Sequence, residues 1–299
     1  MTFFDRFSDV HLIGAHRGFR ACRPENTLSA FAASLGRCHF IEIDVQISRD
    51  GIPVVFHDST LKRTSDAALI VDRFGIKSLR INTWDLSRLK ELDIGSWFLA
   101  ADPFGTLAAG TTSVTDLEPL LPQRILTLAE LLEWAVRHQM PVNIEIKDQR
   151  HTRFDQHAAS LVLDVIQRTG TASMVLISSF NHDYLVQCKA MAPHISTGVL
   201  QNEQHPPDLV QYLQALGAAA YHPADAITSR ELIRTLRAAG FGINVYTVND
   251  KQRQRELFDF GATAVFTDFP ELAASDGQCP IQIPPSGVKP RRRFFDFPL

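Results

Sequence analysis

HLIGAHRGFRACRPENTLSAFAASLGRCHFIEIDVQISRDGIPVVFHD, residues 11–58, decides how the rest of the chain is read. An apolar run, HLIGA, delivers His16, Arg17 and Gly18 at its end. A loop with Pro24 follows, then an amphipathic helix over about residues 27–35. A second apolar run, FIEIDVQI, carries Glu42 and Asp44. Asp50-Gly51 reads as a tight hairpin turn, and the returning strand PVVF ends at His57 and Asp58. Side chains alternate along a strand, so Glu42 and Asp44 share one face, about 7 Å apart along the chain. They point away from Ile41, Ile43 and Val45. Ionised carboxylates inside a fold need a cation or a donor beside them, and this pair is arranged to chelate a hard cation. A lone histidine after a strand is usually a hydrogen-bonded structural group. Two of them beside two strand-borne carboxylates point to chemistry.

The totals exclude several classes. The chain has 299 residues, 45% hydrophobic and 21% charged, with a net charge of −3. That composition is ordinary for a globular protein, and the charge gives no basic field for nucleic acid. Cys22, Cys38, Cys188 and Cys279 are scattered and form no CxxC pair, the pattern of thiols in a reducing compartment. Asp5 and Asp9 interrupt the N-terminal apolar residues, so no signal peptide is read there. No run approaches the ~20 apolar residues of a membrane span. The expectation is a cytoplasmic protein without stable membrane insertion.

Short strand-like runs alternate with helical patterns, the signature of parallel βα units. The strand candidates are HLIGAH, FIEIDVQI, VNIEIK, MVLISSF, STGVL, AAAYHP, INVYTV and ATAVFTDF, with PVVF set aside as a hairpin arm. Helical patterns such as LTLAELLEWAVRH and SRELIRTLRAAG lie between them, several closing on glycine. Eight units predict an α/β fold, a (β/α)8 TIM barrel, with a Rossmann-like sheet as the alternative. No GxGxxG or GxxxxGK[ST] motif supports a dinucleotide or P-loop site. Residues of about 61–124 contain no clean βα unit. A structureless loop of that length is improbable in a compact domain, so a small helical insertion subdomain is expected after the second strand and its hairpin. The barrel is expected over 1–275, followed by a Pro-rich tail, 276–299, carrying a basic cluster and three phenylalanines.

Active sites of βα barrels sit at the C-terminal ends of the strands. His16, Arg17, Glu42, Asp44 and His57 all fall there. VNIEIK adds Glu145 and Lys147, again two apart on one face. Phe180 and Tyr246 end later strands as candidate pocket walls. Asn26 has the residue type of a helix N-cap, and Asp268 reads as a structural group.

HRG, PENT, the IEIDV run, DG and VVFHD, in that order and at these distances, resemble the glycerophosphodiester phosphodiesterase family. The resemblance continues through GSWF, LTLAELL, IEIK at Ile144 to Lys147, SSF at Ser178 to Phe180, YTVND at Tyr246 to Asp250 and TDFP at Thr267 to Pro270, covering roughly residues 11–272. It implies the barrel and a hydrolase of glycerophosphodiesters, small molecules cleaved to an alcohol and glycerol 3-phosphate. It further implies that His16 and His57 form the acid–base pair, that Glu42, Asp44 and Glu145 hold a metal, and that Arg17 and Lys147 contact phosphate. The oxygen-only ligand set favours Mg²⁺ or Ca²⁺ over zinc. Which histidine is acid, and whether water or the glycerol hydroxyl attacks first, stays open. A phospholipase-type enzyme on intact lipid and a phosphodiester-binding barrel without turnover are the alternatives. Residues 95–98, which include Trp97 and Phe98, are expected to cover the pocket mouth.

Overall fold

The computed structural model describes residues 2–7 and 11–270. The tail 276–299, and Cys279 with it, lies outside the described residues. Eight parallel strands close into a barrel: β1 (Leu12–Ala15), β2 (Phe40–Ile47), β4 (Val142–Ile146), β5 (Val175–Ser179), β6 (Ser196–Gln201), β7 (Ala220–Pro223), β8 (Gly242–Val245) and β9 (Ala264–Thr267). Each pairs with its neighbour in chain order, and β1 pairs with both β9 and β2, which completes the ring. β3 (Pro53–Val55) lies outside that ring, antiparallel to the end of β2, with Val45 opposite Val55. The hairpin turns where expected, Gly51 taking φ 83°.

The closed parallel barrel follows from a period of two. Ile41, Ile43, Val45, Val142, Ile144, Ile177, Val199, Ile243 and Val265 belong to one apolar cluster with the surrounding helices. The alternate residues face the barrel axis. At its N-terminal end these are apolar: Leu12, Phe40, Leu176 and Ala264 pack with Phe266 and with Phe3. Phe3 stands edge-on to Phe40, with ring centroids 5.5 Å apart, and its backbone N–H donates to Ser196 Oγ at 3.4 Å. The N-terminal segment therefore stoppers the barrel floor. Towards the other end the axial residues turn polar: Glu42, Asp44, Asn143, Glu145, Ser178, His222 and Asn244 are buried there.

Helices start and stop on local chemistry. Thr127 and Glu130 form a reciprocal capping box, Thr127 Oγ1 accepting from the Glu130 N–H at 3.2 Å and the Glu130 carboxylate from the Thr127 N–H at 2.7 Å. The helix Ala158–Thr169 ends on Gly170 in the left-handed region. Between β3 and the helix Leu128–Arg137 the chain forms a series of short helical turns. They have their own apolar core: Leu61, Ala67, Ile81, Trp84, Leu89, Leu92 and Ile94 pack with Val54 and Phe56. Trp84 is fully buried, and its indole N–H donates to the Ser78 carbonyl at 2.8 Å. Among the described residues no helix is long and apolar enough to cross a membrane.

Candidate active site

A pocket of about 190 Å³ opens at the C-terminal ends of the strands. Its walls include His16, Arg17, Glu42, His57, Glu145, Lys147, Phe180 and Tyr246, and deeper in, Asn143, Ser178, His222 and Phe266. Of the nine residues expected to be catalytic, metal-holding or in contact with substrate, eight line it. The ninth, Asp44, lies behind, with one ligand atom each of Asp44, Glu42 and Glu145 all within 4.8 Å of one another.

The carboxylates are brought together by strand register. Glu42 and Asp44 alternate along β2, and Asp44 stands opposite Glu145 on β4. Glu42 accepts from the Arg17 backbone N–H at 2.9 Å. Asp44 Oδ2 accepts from Asn26 Nδ2 at 2.8 Å and lies 3.1 Å from Arg17 Nε. Asp44 Oδ1 is buried without a hydrogen-bond partner, with Lys147 Nζ at 3.4 Å and His57 Nε2 at 4.0 Å. Burial pushes the Glu42 pKa well up, and the charges of Asp44 and Glu145 add to it. Glu145 is likewise raised, by burial first and then by Asp44, against the pull of Lys147. Asp44 goes the other way: burial opposes its charge, but Arg17, His57 and Lys147 hold it ionised. Three buried carboxylates this close repel unless a cation sits among them. Their oxygen-only donor set and the unpartnered Asp44 Oδ1 fit a hard divalent ion.

Both histidines present Nδ1 to an aspartate. His16 Nδ1 lies 2.7 Å from Asp268 Oδ1, and His57 Nδ1 lies 2.5 Å from Asp58 Oδ1. A carboxylate at Nδ1 places a proton there, so Nε2 is left for chemistry. Asp268 is itself fixed: its second oxygen accepts from Asn249 Nδ2 at 2.8 Å, and its backbone N–H donates to Asn249 Oδ1 at 2.9 Å. Burial, and then the charge of Arg17, push the His16 pKa down to about 4 in spite of Asp268. His16 is therefore neutral at pH 7.

Arg17 sits on the loop after β1 at φ 55°, followed by Gly18 at φ 79°. A Cβ on Gly18 would lie 2.8 Å from the Ala30 backbone, so both space and backbone angle call for glycine there. Lys147 Nζ donates to Glu145 Oε1 at 2.5 Å. Burial works against its charge, yet Asp44 and Glu145 raise its pKa. Phe180 is 39% exposed at the pocket rim. It stands edge-on to Tyr246 at 6.0 Å, and the Tyr246 hydroxyl donates to the Gln201 carbonyl at 3.0 Å. Lower down, His222 is fully buried and its Nε2 pairs with Asn244 Nδ2 at 2.9 Å. Burial pushes its pKa down to about 3, so the pocket floor is polar and uncharged.

Three expectations change. Asn26 is not the helix cap: Thr27 is, its side chain accepting from the Ala30 N–H at 3.3 Å. Asn26, at φ 55°, instead reaches across to Asp44. Asp268 is more than a structural group, because it holds His16. Residues 95–98 do not line this pocket. Trp97 gives its indole N–H to the Ile94 carbonyl at 2.9 Å and packs edge-on to buried Phe98. Asp58 and Asn249 also escaped the sequence reading. Asp58 carried one signal, its position directly after His57.

The geometry can be set beside known proteins. Residues 16–272 match the model of the glycerophosphoryl diester phosphodiesterase family. The chain is 31% identical over 268 residues to a glycerophosphodiester phosphodiesterase of Bacillus altitudinis, covering 87% of this chain and 96% of that protein. It is 32% identical over 265 residues to one of Caldanaerobacter subterraneus subsp. tengcongensis, covering 87% and 95%. Among solved structures it resembles an Oleispira antarctica phosphodiesterase in complex with the product sn-glycerol-3-phosphate. That match has a TM-score of 0.75 at 28% identity, over 92% of this chain and 98% of the other.

Proposed function

The chain belongs to the glycerophosphoryl diester phosphodiesterase family, and on that premise we propose that it hydrolyses glycerophosphodiesters to an alcohol and glycerol 3-phosphate through His16 and His57, with Glu42, Asp44 and Glu145 holding Mg²⁺ or Ca²⁺. The observation that carries this reading is the pairing of two aspartate-anchored histidines with a buried three-carboxylate cluster at one pocket. The Oleispira protein holds sn-glycerol-3-phosphate as its product, and we carry that product class to this chain.

Arg17 and Lys147 line the pocket as the cations for the phosphate oxygens. A bound divalent ion would add charge neutralisation at the phosphate and at the transition state. His16, kept neutral by burial, takes the proton of the attacking oxygen as its bond to phosphorus forms. His57 gives a proton to the alkoxide as the phosphorus–oxygen bond to the alcohol breaks. Asp268 and Asp58 keep each ring's Nε2 directed at the reaction. Phe180 and Tyr246 wall the side of the pocket on which the substrate's carbon arms pack.

The test is purified protein, stripped of metal and then supplied with Mg²⁺ or Ca²⁺, incubated with a panel of glycerophosphodiesters while glycerol 3-phosphate is measured. Release that depends on the added ion is expected. Full activity in the stripped protein would remove the ion from the reading, and no release with any diester would remove the reaction.

A further inference from the structure

Glu25, the acid of the PENT run, is almost fully buried, with 4% of its side chain exposed, and three arginines converge on it. Arg17 Nη1 lies 3.0 Å from Oε1 and Arg20 Nη2 lies 3.1 Å from Oε2. Arg63 donates to both oxygens, at 2.9 and 2.7 Å. Each arginine also holds a different part of the site. Arg17 reaches Asp44 at 3.1 Å. Arg20 Nη1 lies 3.4 Å from Asp268 and 3.3 Å from His16 Nδ1. Arg63 donates to Asp58 at 2.8 and 3.0 Å. An unbroken chain of alternating charge, Asp268–Arg20–Glu25–Arg63–Asp58, thus joins the far side of one histidine to the far side of the other.

We propose that Glu25 is a positioning residue that couples His16, His57 and Asp44 into one unit through Arg20, Arg63 and Arg17. The proposal rests on the reading of His16 and His57 as the proton-moving pair. Glu25 does not line the pocket, so it acts through the arginines. Its charge is secure: burial opposes ionisation, but Arg63, Arg17 and Arg20 bring its pKa down to about 2. Removing that charge leaves three guanidinium groups facing one another without their shared partner, and breaking a buried ion cluster on one side is strongly unfavourable. The arginines would then turn to Asp44, Asp58 and Asp268 alone, and the carboxylates would shift with them. The chain also gives the insertion a role in the barrel site. Arg63 follows β3, in the segment that forms the insertion. Phe104, further along it, lies under the Arg20 guanidinium, 5.2 Å from the ring centroid. Two of the three arms are thereby held from outside the barrel.

The decisive experiment is Glu25→Gln in the full chain, read by steady-state kinetics and by the ring ¹⁵N shifts of His16 and His57, assigned with His16→Asn and His57→Asn. A kcat lower by about 10–100-fold, the range for partners that orient catalytic groups, is expected with KM within about threefold. Both histidine rings should shift together, and Glu25→Asp should restore part of kcat. A folded Glu25→Gln protein with kcat within about twofold of wild type, or with only one ring displaced, overturns the proposal. If Glu25→Gln does not fold, Arg63→Met decides, since it cuts only the His57 arm. The His16 ring must then shift as well, and a His16 ring that stays still overturns the coupling. A wild-type protein that hydrolyses no diester would remove the reading of the reaction, while the ring shifts would still report whether Glu25 couples the two sides.

Discussion

His16 and His57 stand on two flanks of the same pocket and are anchored by the same contact, an aspartate at Nδ1, but the chain builds the two anchors differently. On the His16 flank the partner is Asp268, 252 positions away. The two meet because β1 lies against β9, where the His16 backbone N–H donates to the Thr267 carbonyl at 3.0 Å. On the His57 flank the partner is the next residue, held from behind by Arg63. The His16 side chain is 15% exposed and that of His57 is 28%. The first anchor is thus a product of barrel closure and the drier of the two. The second is a local turn braced by the insertion, closer to water. Under the proposed mechanism, the drier His16 would serve as the base and the more open His57 as the acid that regains its proton from solvent.

The largest effects should come from removing either ring. His16→Ala and His57→Ala are each expected to lower kcat by roughly 10²–10⁴-fold with the fold intact, measured on one glycerophosphodiester with circular dichroism as the control. Near-normal turnover in either variant would take that flank out of the mechanism. A smaller change separates the anchors. Asp268→Asn should cost about 10–100-fold in kcat, and Asp58→Asn less, because the His57 ring, the less buried of the two, can find water in place of its carboxylate. Equal losses, or a greater loss at Asp58, would show that burial does not rank the two anchors.

Acid stability tests the dry flank by itself. The His16 pKa is about 4 in the folded protein against about 6.5 in an unfolded chain. Between those values the unfolded chain binds the extra proton. The His16 contribution is therefore fully present above about pH 6.5 and is lost as pH falls towards 4. By pH 4.5 the loss should reach roughly 2 kcal/mol. Denaturant titrations at pH 7 and 4.5 should show wild type losing that much more than His16→Asn. Parallel losses would place His16 in a wetter setting. The smallest effect concerns the insertion. With Trp97 spent on Ile94 and Phe98, Trp97→Ala should lower the melting temperature by a few degrees, on the scale of about 1–2 kcal/mol. It should change kcat/KM for different head groups by a common factor of less than about two. A head-group-dependent change would return residues 95–98 to the pocket mouth.

Much of the architecture was written locally. FIEIDVQI and VNIEIK alternate strictly, so the inward placement of Glu42, Asp44, Glu145 and Lys147 could be read before any strand was paired. The eight apolar runs and the helices between them predicted the closed parallel barrel for the same reason, since period and burial are properties of short segments. What could not be read were contacts between segments that share no local signal. Asp268 meets His16 only because β9 closes on β1 in one register. Asn26 has the residue type of a cap but lies one position before it, in a left-handed turn that sends its amide to Asp44. Phe3 fills the barrel floor although nothing in residues 2–7 marks a barrel partner. Trp97 could equally have faced the ligand or the insertion's interior, and burying an indole satisfies it either way. The carboxylate and histidine types were thus fixed by sequence, while their partners were decided by which loops the closed barrel brings side by side, because charge pairing depends on distance in space and not along the chain.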